Sequence, residues 1–84
     1  MAYNSMLITT EALAVTKSDS TKVSFYGLYV GTTGDVTVKS AKQGPGGATV
    51  TFTAVPAGGI IPLAVCMVMS TGTTANNIVG FGPV

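Results

Sequence analysis

The side chains that could do acid–base chemistry are few and scattered along this sequence. The carboxylates are Glu11, Asp19 and Asp35, and each is expected in or beside a different loop or strand end. General acid–base catalysis needs such groups to be held together, and nothing in this spacing predicts a pair. We therefore interpret all three as surface and turn residues, with Asp35, which follows Gly34, helping to close a turn.

The single cysteine, Cys66, lies inside the apolar run from Leu63 to Val68. A nucleophilic cysteine needs a neighbouring base or cation that lowers the pKa of its thiol. The sequence contains no histidine, so the usual partner is missing and Cys66 is interpreted as a small buried hydrophobic residue. On this interpretation Cys66→Ala leaves assembly largely intact and costs about 1–2 kcal/mol through lost packing.

Two further segments share only part of a catalytic or phosphate-binding motif. The run from Gly44 to Gly47 is rich in glycine but lacks the Lys-Ser/Thr pair of a P-loop and precedes no predicted helix, so it predicts a turn. Ser40 and Lys42 have the spacing of a Ser–Lys dyad on one strand face, but placement in a turn is favoured. We expect no enzyme activity and no cofactor, because this residue set cannot assemble an ordinary zinc, haem or iron–sulfur site.

Charge is scarce throughout the chain, which has 84 residues of which 8% are charged, and the net charge is +1. Scattered lysines cannot form the basic stripe that nucleic acid requires, so no nucleic-acid partner is expected. The longest apolar stretch, Ala54 to Met69, is shorter than the roughly 20 residues of a membrane span and is interrupted by prolines and glycines. The N-terminus lacks the basic region of a signal peptide, so neither membrane insertion nor export is expected.

Turn signals recur at short intervals between segments rich in valine, threonine and aromatic residues. They are Ser18-Asp19-Ser20, Gly31 to Asp35, Gly44 to Gly47, Ala57-Gly58-Gly59 and Ser70-Thr71-Gly72. This spacing predicts an all-β fold, a small antiparallel β-sandwich or barrel of the jelly-roll type. We expect one domain over residues 1–84 with extended terminal segments: an N-terminal arm at 1–10 and a C-terminal tail at 80–84, where Pro83 ends regular pairing.

Individual strands differ in how many of their faces are apolar. Ala48 to Val55 and Val36 to Lys39 alternate apolar and polar residues and are predicted to pair as a hairpin, and a last strand is predicted over Ile78 to Phe81. Val23 to Val30 and Ile60 to Met69 are apolar on both faces, and such strands must be covered on both. Since one small sandwich has one interior, the second apolar face predicts a partner subunit or a larger surface.

Several short segments follow one another in a fixed order between Phe25 and Val79. They are Gly27-Leu28-Tyr29-Val30-Gly31, Gly34-Asp35-Val36-Thr37-Val38, Val50-Thr51-Phe52, Val55-Pro56-Ala57-Gly58 with Ile61-Pro62, and Thr71-Gly72-Thr73-Thr74-Ala75 with Ile78-Val79. In this order they resemble small head proteins of tailed bacteriophages and gene transfer agents, the spike-base and capsid-decoration proteins. The sequence departs from that pattern in a longer turn at Ala41 to Gly47 and in its ending, Ile78 to Val84.

The resemblance implies a non-enzymatic protein that assembles as a ring on the outer capsid surface of a virion after synthesis in the bacterial cytoplasm. The implied partners are the major capsid protein, further copies of the chain and, as a candidate, a head fibre. We favour a trimer, because capsid lattices offer many three-fold and quasi-three-fold sites, with a pentamer at the five-fold vertices a close second. Residues from the apolar strands and the C-terminus are the predicted oligomer or capsid interface: Tyr26, Leu28, Tyr29, Ile60, Ile61, Leu63 and Phe81. Leu28→Asp or Ile61→Asp is then expected to damage assembly more than the fold.

Three other functions stay open at the level of the sequence. A receptor- or carbohydrate-binding knob would need a cluster of exposed aromatic and amide side chains such as Tyr26, Asn76 and Asn77. A small tail component is an alternative within the virion. A small enzyme is disfavoured by the missing histidine.

Overall fold

The computed structural model describes residues 11 to 82, so the predicted N-terminal arm, Pro83 and Val84 lie outside the described residues. Between residues 11 and 82 the chain forms seven strands and no helix. In chain order they are β1 (Glu11–Ala14), β2 (Gly27–Val30), β3 (Gly34–Ser40), β4 (Val50–Val55), β5 (Gly59–Ile61), β6 (Val65–Val68) and β7 (Ile78–Gly82). No helix in this range therefore has the length and apolar content of a membrane span.

The strands form two antiparallel sheets. Sheet A has four strands in the order β1-β7-β2-β5, and sheet B has three strands in the order β4-β3-β6. Apolar side chains from both sheets form one core, which consists of Phe25, Leu28, Val30, Val36, Val38, Ile61, Val65, Val68, Ala75 and Ile78. The predicted all-β sandwich is confirmed.

The two strands in which apolar and polar residues alternate, β3 and β4, form where the sequence predicts them. β3 and β4 pair as the expected hairpin, with Val36 opposite Phe52 and Val38 opposite Val50. Val36 and Val38 have no exposed surface and point into the core, because successive side chains of a strand lie on opposite faces. β7 extends one residue past the predicted Phe81, so residues 80–82 belong to a strand and not to a tail.

The two runs that are apolar on both faces fold differently from the prediction. Ile60 to Met69 is two strands separated near Pro62, with β5 in sheet A and β6 in sheet B. In β6, the neighbours Met67 and Val68 are 4% and 2% exposed, so this chain itself covers both faces of the strand. The expectation that both runs need a partner on the second face is therefore wrong for β6, while Tyr29 of β2 remains 37% exposed.

Phe25 holds the two sheets in their relative positions. Its backbone exchanges two hydrogen bonds with Val65 of sheet B, of 3.2 and 2.9 Å, while the chain continues directly into β2 of sheet A. Its ring lies against Gly80 of β7, where a Cβ atom would approach the ring carbons to 2.5 Å. Gly80 thus leaves the space in sheet A that the aromatic ring fills.

We predict that Gly80→Ala lowers the free energy of unfolding by about 1–3 kcal/mol, because an added methyl group overpacks the contact with Phe25. Gly46→Ala is the matched control, since a Cβ atom there meets nothing within 4 Å. Its effect should stay within about 0.5 kcal/mol. Urea unfolding of both variants measures the difference, and equal stabilities would contradict the role assigned to Gly80.

Candidate functional site

The outward surface of sheet A is apolar. Leu13, Gly80, Leu28 and Ile61 stand opposite one another across its four strands, and the burial of Leu28 and Ile61 shows that this row faces the core. The adjacent rows must face outward because side chains alternate. They contain six side chains, which we call the outer face: Ala12, Ala14, Tyr29, Ile60, Val79 and Phe81.

The outer face carries no charged or amide side chain, although much of it is accessible. Ile60 is 55% exposed and Tyr29 is 37% exposed, and they stand opposite each other on neighbouring strands. Val79 and Phe81 are half-buried. An antiparallel sheet with one solvated face usually has polar residues there, so this surface is suited to contact with another molecule.

The predicted interface residues fall into three groups in the structure. Tyr29, Ile60 and Phe81 belong to the outer face, and Tyr26 lies beside it at the start of β2 with 41% exposure. Leu63 is half-buried and packs against the core.

Leu28 and Ile61, by contrast, are 0% and 3% exposed and point between the sheets. The expectation that Leu28→Asp or Ile61→Asp damages assembly more than the fold is corrected, since either aspartate would place an unpaired charge inside the core. The sequence also missed Ala12, Ala14 and Val79, whose membership of the outer face depends on the register of β1 and β7.

The carboxylates of Asp19 and Asp35 each accept hydrogen bonds from backbone amides of another segment. Asp19 Oδ1 accepts hydrogen bonds from the amides of Ser70 and Thr71 at 2.8 and 2.9 Å, and Oδ2 accepts one from the Thr71 hydroxyl at 2.5 Å. These bonds, those of Thr71 first, lower the pKa of Asp19 from its ordinary value of 3.8. Asp35 Oδ1 accepts a hydrogen bond of 2.9 Å from the amide of Ala54, whose φ is 56°.

The three carboxylates have separate structural roles, because each bonds to different partners. Glu11 Oε1 accepts a hydrogen bond from the adjacent Ala12 amide, at 3.3 Å. Over residues 11–82, no group of three histidine, cysteine, aspartate or glutamate residues is arranged to hold a metal ion. The expectation that Asp35 closes a turn is wrong, because Asp35 lies within β3 and its carboxylate bonds to β4 where the register of the two strands shifts.

The remaining candidates from the sequence are also bonded within the chain. Cys66 is half-buried, and its thiol lies 3.5 Å from the Ser40 carbonyl oxygen, to which it donates. Lys17 Nζ donates to the Ala75 carbonyl and to Asn76 Oδ1 at 3.1 and 3.2 Å, in a shallow groove of about 570 Å³. These contacts tie loops together at the end of the sandwich.

The proposed cluster of Tyr26 with two amides does not form. Tyr26 precedes β2, whereas the Asn77 carbonyl accepts a hydrogen bond from Gly31, which follows β2. The length of that strand, roughly 15 Å, separates the two ends. Asn77 Nδ2 donates to Thr32 Oγ1 at 3.1 Å, so this amide already has a partner in its own chain.

We predict that Asp19→Ala lowers the unfolding temperature at neutral pH, and that the difference from the wild type shrinks in acid. The native pKa of Asp19 is depressed, so its contribution is present above the unfolded pKa and is lost as the pH falls through the native pKa. Thermal unfolding between about pH 7 and pH 3 measures this. Glu11→Ala is the control and should change the unfolding temperature less at neutral pH. A constant difference across the range would contradict the prediction for Asp19.

The comparison with solved structures gives matches, one of which is a capsid chain. The fold is similar to a chain in the solved capsid of a native gene-transfer-agent particle, computed with C5 symmetry. The TM-score is 0.74 and the sequence identity 34%, over 88% of this chain and 83% of that one. No family model matches, and no curated protein does.

Proposed function

This chain belongs to the same family as that gene-transfer-agent capsid chain, and on this premise we propose that it is a structural capsid protein that binds the outer surface of a phage-like shell. The observation that carries the proposal is the likeness over most of both chains. It involves the whole sandwich and not a short motif. Within the particle, we assign the chain a decoration or spike-base role, with the major capsid protein as its partner.

The outer face supplies the surface for that contact. Burial of apolar area contributes about 25 cal/mol per Å², and no charged side chain of the outer face would lose its hydration. Tyr29 and Phe81 add aromatic rings of the kind enriched in the cores of protein interfaces. A stable contact needs about 800 Å² from each partner, so we propose that the outer face binds the shell together with adjacent surface such as Tyr26.

The chain is proposed to act as a homo-oligomer on the shell, with a trimer favoured over a pentamer. Low charge supports close contact between copies, because few like charges would be brought together on assembly. A head fibre remains a further candidate partner. The proposed role is mechanical: added buried interface reinforces the shell or anchors a spike.

We predict that Tyr29→Asp and Ile60→Asp each weaken binding to particles that lack this protein by at least tenfold, equivalent to about 1.4 kcal/mol. An aspartate on the outer face would lose its hydration on docking, whereas the free protein tolerates it because both positions are exposed. Cosedimentation with purified particles measures binding, and circular dichroism confirms that each variant is folded.

Two variants make this experiment specific. Ala41→Asp adds the same charge in an exposed turn away from the outer face and should bind as the wild type does. Leu28→Asp should lose the cooperative fold, because that side chain is in the core. If Tyr29→Asp and Ile60→Asp bind as tightly as Ala41→Asp, docking through the outer face is wrong. A reconstruction of particles with and without the protein then locates the chain and gives its symmetry.

A further inference from the structure

Three of the four sheet edges are protected against pairing with another strand. β6 is covered by the segment before β2, through hydrogen bonds from Ser18 to Val68 and from Val23 to Cys66 of 3.0 and 2.8 Å. β5 has three residues and is followed by Pro62. β1 has four residues and begins with the charged Glu11. Short strands, charges and covering segments are the usual protections of edge strands.

The edge formed by β4 is the least protected of the four, although Pro56 follows it and its register with β3 shifts between Gly34 and Val36. β4 is six residues long, and Thr49 to Val55 contains no charged residue and no proline. The side chain of Val50 is 48% exposed. A long uncharged edge of this kind is a site for the addition of another strand.

The hydrogen bonds of β3 show which peptide groups of β4 are available. The Thr37 carbonyl accepts from Met69 on the β6 side, so Val36 and Val38 direct their peptide groups toward β4. The peptide groups of their partners, Phe52 and Val50, therefore point toward β3. The peptide groups of Thr51 and Thr53, which alternate with them along β4, point away from β3, toward the open edge of sheet B.

A side-chain contact supports this assignment. Thr37 and Thr51 are opposite each other, and their hydroxyl oxygens are 2.8 Å apart. Such closeness is typical of the non-hydrogen-bonded pairs of an antiparallel ladder. No loop or turn within residues 11–82 donates a backbone hydrogen bond to Thr51 or Thr53, or accepts one from them.

We propose that β4 receives residues 1–10 of a neighbouring copy as an added strand. This inference rests on the proposed function, because it requires copies of the chain to lie side by side. The segment Met1 to Thr10 has no charged side chain, so its pairing with β4 would remove no side-chain charge from water. Met6 and Ile8 are two residues apart and would extend the apolar side of β4 beside Val50.

The topology favours a neighbouring copy as the donor. β1, where residues 1–10 join the sandwich, and β5 are the two opposite edges of sheet A. β4 leads into β5 through a short connection, so β4 lies on the far side from β1. Ten extended residues span about 33 Å. Reaching β4 of the same copy around the sandwich would use part of that length before any pairing with β4 began.

Photo-crosslinking of the full chain tests which segment lies on β4. A benzoyl-phenylalanine at Thr53, whose side chain is exposed, is irradiated in a concentrated mixture of unlabelled and ¹⁵N-labelled protein, and the adducts are mapped by mass spectrometry. We expect mixed-isotope adducts that join position 53 to residues 1–10. Adducts within one copy, adducts joining β4 to β4, adducts only to another capsid protein on particles, or the absence of adducts would each overturn the proposal.

A pair of substitutions at Thr51 tests the backbone contact itself. Thr51→Pro removes an amide that points away from β3, so it blocks an added strand and leaves the β3–β4 hydrogen bonds in place. Thr51→Val also loses the hydroxyl contact with Thr37 but keeps the amide. We expect mixed-isotope crosslinks between residues 1–10 and position 53 to fall at least tenfold in Thr51→Pro and to persist in Thr51→Val. Equal crosslink yields in the two variants, when both are folded, would contradict the inference. If Thr51→Pro does not fold, the crosslink map of the protein without a substitution at Thr51 decides.

The outer-face variants separate this inference from the proposed function. Tyr29→Asp should lose particle binding yet retain the crosslink between copies, because the outer face and the β4 edge belong to different sheets. If the protein binds particles but gives no crosslink between copies, the strand addition is refuted and the proposed function is not.

Discussion

A sandwich of two sheets has one interior, and this constraint determines which apolar side chains remain available to other molecules. The chain has 46% hydrophobic residues and 84 residues in all, so it has more apolar strand surface than that interior can hold. Within sheet B, the chain itself covers both faces of β6. The described residues do not cover the second face of sheet A, and the excess appears there as the outer face.

Several polar side chains of this sparsely charged chain form hydrogen bonds with its own backbone. Asp19 and Asp35 each bind backbone amides of a distant segment, and the Thr73 hydroxyl accepts a hydrogen bond of 2.9 Å from the Thr37 amide. No buried side-chain nitrogen or oxygen within residues 11–82 lacks a partner. These hydrogen bonds connect loops and strands within the chain, and none of these polar groups lies on the outer face of sheet A.

The sequence predicted the fold class and the β3–β4 hairpin because valine and threonine alternate with the two-residue period of a β-strand. It could not predict which apolar face of β2 is buried. Leu28 and Tyr29 are both large, so neither the residue pattern nor side-chain size shows which of them faces the core. That choice depends on Leu28 standing opposite Ile61, a contact between distant parts of the chain. The break near Pro62 was visible in the sequence, but only the pairing partners show that β5 and β6 belong to different sheets.

The two proposed contact surfaces are geometrically independent, and this independence is what a protein that forms a layer on a shell requires. Docking through the outer face uses side chains perpendicular to sheet A, whereas strand addition at β4 uses backbone groups in the plane of sheet B. A strand given by one copy and received by the next makes a head-to-tail contact, which forms a closed ring when the rotation between copies divides a full turn and an open filament when it does not. Strand addition is therefore compatible with both the trimer and the pentamer, and the rotation between neighbouring copies decides between them.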